Sequence, residues 1–238
     1  MYLPVPLQPD CSSAWLEAAR RVDTQPGHHA YNVIVDVANP VANTDPSNSV
    51  VAKVGAFLAA RDKSLDTIAN TIFPQALYER HGASNFVSVF HDRVLPKVRK
   101  GKRWSGYYFE RMTNGSNELA DIISRMKSDS NTSLNKYELS IYDAKRDVDG
   151  SPYGGQCLSF LSFHLLPGTP KTLLLTAQYR NHYYIEKLLG NLIGLGRLMS
   201  YVASQTQTSV GALTVVSTHA VIDQPTPCVR ADIQTLLA

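Results

Sequence analysis

Apolar and polar residues change period along the chain, and the change divides it into a helix-rich first half and a sheet-rich second half. Trp15, Ala18 and Val22 recur at helical spacing; Ser12 or Ser13 is placed to cap that helix, and Gly27 to stop it. Tyr31–Val37 alternates and is rich in β-branched residues, which predicts a strand. Asn39–Asn48 is dense in Asn, Pro, Asp and Ser and predicts a loop. The apolar positions of Val50–Arg61 fit a helix and a strand equally. Ser64–Arg80 predicts a helix that Pro74 kinks or divides, and Ser84–Val98 predicts another. Ser116–Lys127 is helical, with Ser116 as its cap. Strands follow at Tyr137–Tyr142, Cys157–Leu166 and Thr172–Tyr179, the last two joined by the turn sequence P-G-T-P-K. A long helix is predicted over Tyr184–Ala203. Its Gly190, Gly194 and Gly196 permit close packing at a cost in helix propensity. Gly211–Val221 predicts the final strand. With no repeat, low-complexity tract or linker, the expectation is a single α+β domain over residues 1–238.

Composition narrows the classes. A chain of 238 residues, 44% hydrophobic and 18% charged, can build a full core and is neither disordered nor collagen-like. A net charge of +3 is not the footprint of a dedicated nucleic-acid binder, and it suits a small anionic ligand equally well. Lys97–Arg103 holds five basic residues in seven, either a solvated loop or an anion-facing one. The three cysteines, Cys11, Cys157 and Cys228, are too few for a disulfide framework, and no compact Cys/His cluster suggests zinc. The first ten residues lack the signature of a signal peptide, and the most apolar run, Cys157–Leu166, is too short and too polar to span a bilayer. The expectation is a soluble cytoplasmic protein with reduced thiols and no membrane partner.

Four residues carry candidate chemistry. Cys157 follows two glycines in G-G-Q-C-L-S-F-L-S-F, where a reacting group can approach the sulfur closely. Arg180, in Q-Y-R-N-H, ends a strand; it can hold an anion bidentately and favour a nearby thiolate. Asn191 places an amide, both donor and acceptor, on an apolar helix, and His219 ends the last strand. Taken singly, each has an ordinary structural reading: a buried small hydrophobe, a surface ion pair, a satisfied core amide, a histidine bonded to backbone.

Their order and spacing resemble the thymidylate synthase family, which includes the pyrimidine hydroxymethylases. The family has a Pro-Cys-His strand whose following hexapeptide ends in Gln-Phe; here Phe163 lies six residues past Cys157. It then has a strand ending in Gln-Arg-Ser-x-Asp, an asparagine eleven residues past that arginine, and a Thr-His-x-Tyr segment. Arg180, Asn191 and Thr218-His219 match these positions. Upstream, Asn117–Ser133 is similar to the family's helix before its arginine pair, Ser140-Ile141-Tyr142-Asp143 sits where the family has Ser-Ala-Trp-Asn, and Tyr108-Phe109-Glu110-Arg111 is similar to its Tyr-Gly-x-Arg. The resemblance covers about Trp104–Asp223; Ala14–Val22 matches the first helix in outline.

The resemblance implies a thymidylate synthase-like α+β fold with a large mixed sheet, and a homodimer packed sheet to sheet. It implies that Cys157 attacks C6 of a pyrimidine nucleotide or nucleoside, so that C5 accepts a methyl or hydroxymethyl group from 5,10-methylenetetrahydrofolate. Arg180 then holds phosphate, Asn191 reads the base, His219 meets the ribose, and Tyr108, Asn181 and Ser162 line the substrate site. Asn135 and Lys136 align with the arginine pair that reaches the partner subunit's phosphate site. Together, Cys157, Arg180, Asn191 and His219 are expected to line one cavity.

The departures are as specific. The family's histidine after the cysteine is Leu158, its glutamine is Ser162, its serine is Asn181, its aspartate is Tyr183, and its final tyrosine is Val221. The proton-relaying glutamate falls near Asn70, where the nearest acids are Asp66 and Glu79. The N-terminal phosphate-binding loop is replaced by Pro26-Gly27-His28-His29, and nineteen residues follow His219. These changes leave a second reading open, a catalytically inactive nucleotide-binding or structural subunit. A Cys157–His219 thiol hydrolase is weaker, for want of an oxyanion signature.

Overall fold

The computed structural model describes residues 2–98, 106–128, 132–148 and 156–238. Most of the basic run Lys97–Arg103, the glycine pair before Gln156, and Trp104 lie outside the described residues.

Strand β1 (Leu3–Gln8) leads into helix α1 (Cys11–Asp23), then β2 (His29–Val37). Helices α2 (Ser49–Ala59), α3 (Leu65–Ile72) and α4 (Gln75–Val89) follow, and a π-helical turn at Phe90–Val94 runs into α5 (Leu95–Val98). Helices α6 (Tyr108–Thr113) and α7 (Glu118–Lys127) precede the strands β3 (Tyr137–Ser140), β4 (Leu158–Leu166), β5 (Thr172–Tyr179) and β6 (His182–Tyr183). A second π-helical turn, Tyr184–Leu188, opens α8 (Leu189–Thr206); β7 (Ser209–Val221) and α9 (Arg230–Leu237) complete the order.

The strands form one mixed sheet in the order β1-β2-β7-β5-β4-β3, with β6 pairing the end of β7. β7 is antiparallel to β2 and parallel to β5; β4 is antiparallel to both β5 and β3. Alternation assigns the faces. Val33, Val35, Leu213, Val215, Leu173, Leu175, Leu161 and Phe163 are buried under α1 and α8. The opposite face presents Ile34, Val216, Thr176, Gln178, Phe160 and His164, all half-exposed or exposed.

Helix α8 is held by close contact. A Cβ at Gly194 would stand 2.8 Å from the Ala69 carbonyl oxygen, and one at Gly190 would stand 2.7 Å from the Ile68 side chain, so α3 rests directly on the α8 backbone. The glycines expected to admit a neighbour therefore do so. Trp15, fully buried, donates from Nε1 to the Tyr184 carbonyl at 2.7 Å and ties α1 to the turn that starts α8.

Several predicted elements shift. Helix α1 begins at Cys11, and its cap is Asp10, which accepts from Ser13 N at 2.8 Å, in place of a serine cap. Val50–Arg61 resolves as helix, because Asn48 accepts from the amides of Val50 and Val51. Pro74 divides the next segment into α3 and α4. Asn117, with positive φ, caps α7 in place of Ser116. β1 was not predicted: Pro4 and Pro6 argue against a strand, and an edge position paired only with β2 tolerates them.

Candidate functional site

Strand β5 ends at Tyr179, and the chain turns through Arg180 and Asn181 into His182 and Tyr183. This stretch touches the elements that carry Cys157, Asn191, His219 and Tyr108. The Arg180 backbone N–H donates to the Cys157 carbonyl at 2.9 Å, and its Nε donates to the Gln156 carbonyl at 2.9 Å. The start of β4 is thus pinned to the end of β5, and Cys157 and Arg180 are neighbours. Asn181 accepts, at Oδ1, from His219 Nδ1 at 2.7 Å. That bond leaves His219 Nε2 as a free acceptor. Burial, and the adjacent His29, lower the His219 pKa, which favours the neutral ring.

His182 makes the third link. Its Nε2 lies 2.9 Å from Asn191 Nδ2, and its Nδ1 lies 3.0 Å from Ser217 Oγ, which also accepts from the Tyr184 hydroxyl at 3.2 Å. The ring stacks on Tyr179 with centroids 4.0 Å apart. Burial depresses the His182 pKa to about 3, so the ring is neutral at physiological pH. A neutral imidazole that accepts from Asn191 donates from Nδ1 to Ser217, and the amide of Asn191 is held in one orientation.

Cys157 is half-buried. Burial raises its thiol pKa above the ordinary value, and Arg180 and Lys187 act against that rise. Tyr108 sits beside it: its hydroxyl oxygen accepts from the Leu158 amide at 3.5 Å, and its ring lies 6.4 Å, edge to face, from that of Tyr179. α6, which carries Tyr108, is anchored by Arg111, bonded to both Asp147 carboxylate oxygens at 2.7 and 3.1 Å, with both side chains buried. Asp223 accepts from the amides of Ile185 at 2.9 Å and Glu186 at 3.3 Å, and so caps the turn that carries Lys187. Burial raises its pKa to about 6.

The other predicted residues stand apart. Ser162 lies five residues along β4 on the exposed sheet face, bonded to Glu138 at 2.9 Å. Asn135 and Lys136 lie in the turn before β3, at the sheet edge; the Lys136 carbonyl accepts from Arg125 at 2.8 Å. On α3, Asp66 and Asn70 bond to each other at 2.9 Å, and both accept from Arg197. No acid of α3 is therefore directed at Cys157. Nδ1 of His219 is committed to Asn181.

Sequence reasoning missed Tyr31, Tyr179, His182 and Lys187. Tyr31 is the cross-strand partner of His219, with ring centroids 5.2 Å apart, and it is largely exposed. It supplies a phenol beside His219 where position 221 is valine. Its strand was legible, but its partner depends on the β2–β7 register.

Two cavities lie elsewhere on the fold. One of about 810 Å³ lies between α2, α3, α8 and the 39–48 loop, lined by Ala56, Lys63, Asp66 and Arg197 among others. Another, of about 360 Å³, is lined by Arg111, Tyr142 and Arg146 among others. Neither includes Cys157, Arg180, Asn191 or His219, and part of the chain preceding Gln156 lies outside the described residues. Among the described residues, no cluster of three His, Cys, Asp or Glu side chains could hold a metal ion, and no helix is long and apolar enough to cross a membrane.

No protein-family model matches the chain, and no curated protein matches it. Among solved structures, it is similar to the crystal structure of thymidylate synthase from T4 phage, with a TM-score of 0.50 and 13% identity, covering 87% of this chain and 71% of that one. The chain thus has a thymidylate synthase-like α+β fold, with a large mixed sheet covered on one face by helices.

Proposed function

We propose that the chain is a C5 one-carbon transferase acting on a pyrimidine nucleotide or nucleoside, with Cys157 as nucleophile. The observation that supports this is the gathering of Cys157, His219 and Asn191 on Arg180, Asn181 and His182 respectively, within a fold of this kind. The Cys157 thiolate adds to C6, and the electron pair of the C5–C6 bond moves to C5. C5 then bonds the incoming carbon; when C5 gives up its proton, the electron pair of that C–H bond re-forms the C5–C6 double bond and the sulfur–C6 bond breaks, which returns the thiolate. Arg180 supports the thiolate and holds an anionic group such as phosphate. Asn191 meets the base edge, and Nε2 of His219 accepts from a ribose hydroxyl. The matching donor is 5,10-methylenetetrahydrofolate, a co-substrate; Tyr183 leaves one of its family contacts without a carboxylate.

Arg180→Ala is expected to weaken a pyrimidine nucleoside monophosphate by roughly tenfold to a hundredfold, the range for a hydrogen bond to a charged group, and to leave the corresponding nucleoside nearly unchanged. Thermal-shift titration of both ligands against both proteins checks this. Equal loss for both ligands would remove Arg180 from the phosphate.

The half-exposed sheet face, with Phe160, Ile34 and Val216, supports a homodimer packed sheet to sheet, with Asn135 and Lys136 of each subunit directed to the other's site. Such interfaces bury roughly 2,000 Å² or more, so the protein should remain a dimer at micromolar concentration. Light scattering that gives the monomer mass would reject this arrangement.

One observation favours the second reading, an inactive nucleotide-binding subunit: the carboxylate and the amide of α3, Asp66 and Asn70, are committed to Arg197.

A further inference from the structure

Tyr179 is fully buried, and its hydroxyl has no hydrogen-bond partner among the described residues. A buried hydroxyl without a partner is costly, and such a group in a native fold calls for an explanation, a catalytic role among them. The ring faces the covered side of the sheet, cross-strand from Leu158 and therefore one residue from Cys157. The bond from Arg180 N to the Cys157 carbonyl holds the two strand ends together at that point. Tyr108 approaches from α6, edge-on to Tyr179. Burial pushes both phenols far above their ordinary pKa, with the charge of Cys157 adding to the rise of both and that of Tyr108 to the rise of Tyr179, so both stay protonated at neutral pH. Tyr184, equally buried, has Ser217 as its acceptor, and Tyr108 already accepts from a backbone amide. Tyr179 has neither.

The sulfur beside it changes character on ionisation. A thiol is a weak acceptor, whereas a thiolate is a strong one. The titratable groups whose charge acts at the sulfur, or is acted on by it, are Arg180 at the end of β5, Lys187 in the turn before α8, Tyr108 of α6 and Tyr179 of β5. Lys187 is shared with Glu186, at 2.5 Å, so its charge is partly offset at the sulfur. We propose that Tyr179 is a positioning residue that donates a hydrogen bond to Cys157 in its thiolate form, joining Arg180 and Lys187 as the groups that hold that anion. The assignment concerns the resting protein and holds whether or not a pyrimidine is the substrate.

The test is the rate of Cys157 alkylation by iodoacetamide as a function of pH, in the full chain without ligand. A Cys228→Ser background removes the other accessible thiol, Cys11 being fully buried, and the modified peptide is quantified by mass. Tyr179→Phe keeps the ring stacked on His182 and deletes only the hydroxyl. It is expected to move the midpoint of the profile up by about one pH unit, with about tenfold slower alkylation below the midpoint and an unchanged limiting rate at high pH. Tyr184→Phe is expected to leave the midpoint in place. A hydroxyl that is only an unpaired packing group predicts that Tyr179→Phe is at least as stable as the parent and has the same midpoint. An unchanged or lowered midpoint overturns the proposal. If Tyr179→Phe does not fold, a ring-fluorinated tyrosine at position 179, a stronger donor with the ring kept, is expected to lower the midpoint, and an unchanged midpoint overturns the proposal.

Discussion

Cys157→Ser is expected to lower one-carbon transfer to the pyrimidine by roughly three orders of magnitude or more, while nucleotide affinity stays largely intact. The first half follows from ionisation. A hydroxyl in the setting of Cys157 stays protonated, and a neutral oxygen is a poor nucleophile toward C6, whereas Arg180 and Lys187 both favour an anionic sulfur. The second half follows from placement. The groups assigned to phosphate, base and ribose are Arg180, Asn191 and His219, and the bonds that fix them run through residues 180–182 and the Cys157 backbone carbonyl, not through its sulfur. Turnover measured beside calorimetric binding separates the two. Parallel loss of binding and turnover would mean that serine disturbs the site itself, and would count against a purely chemical role for the sulfur.

Asp147→Ala is expected to cost roughly 3–5 kcal/mol, because it leaves the buried guanidinium of Arg111 without its carboxylate. Asp147 also accepts from the Asp143 amide at 2.9 Å, so the loss extends to the segment after β3. For a chain of this size, that corresponds to a fall in melting temperature of roughly 10 °C, measured by circular dichroism. The double variant Arg111→Met/Asp147→Leu removes both charges and is expected to recover much of the loss. If Asp147→Ala melts with the parent, the pair is not the anchor of α6. Because α6 carries Tyr108, a stable but displaced helix would also change the environment of Cys157.

The second half of the chain was legible in the sequence because its alternation is clean. Thr172–Tyr179 was placed to the residue, and β4, β7 and α8 within a few residues. The first half was harder. Val50–Arg61 has apolar positions that suit either period, and only the Asn48 cap decides for a helix. Leu3–Gln8 contains two prolines, and what makes it a strand is a partner, β2, distant in sequence.

The site divided in the same way. Cys157, Arg180, Asn191 and His219 stand out as candidates by order and spacing, which survive as a linear pattern. The residues that connect them did not show, since Tyr31 reaches His219 through strand register and His182 reaches Asn191 through a turn and a helix. Tyr179 read as one more alternating strand residue, and its unpaired hydroxyl is visible only in three dimensions. Ser162 belongs to the linear pattern but faces Glu138 on the other side of the sheet.

In the proposed reaction, thiolate addition at C6 makes C5 of a bound pyrimidine carbanionic. The most direct measurement is release of tritium to water from uracil and cytosine nucleotides and nucleosides labelled at C5, with and without methylenetetrahydrofolate. The C5 transferase reading predicts release by the parent protein that is lost in Cys157→Ser. Tight nucleotide binding with no release under any of these conditions would contradict it and leave the binding-subunit reading in its place.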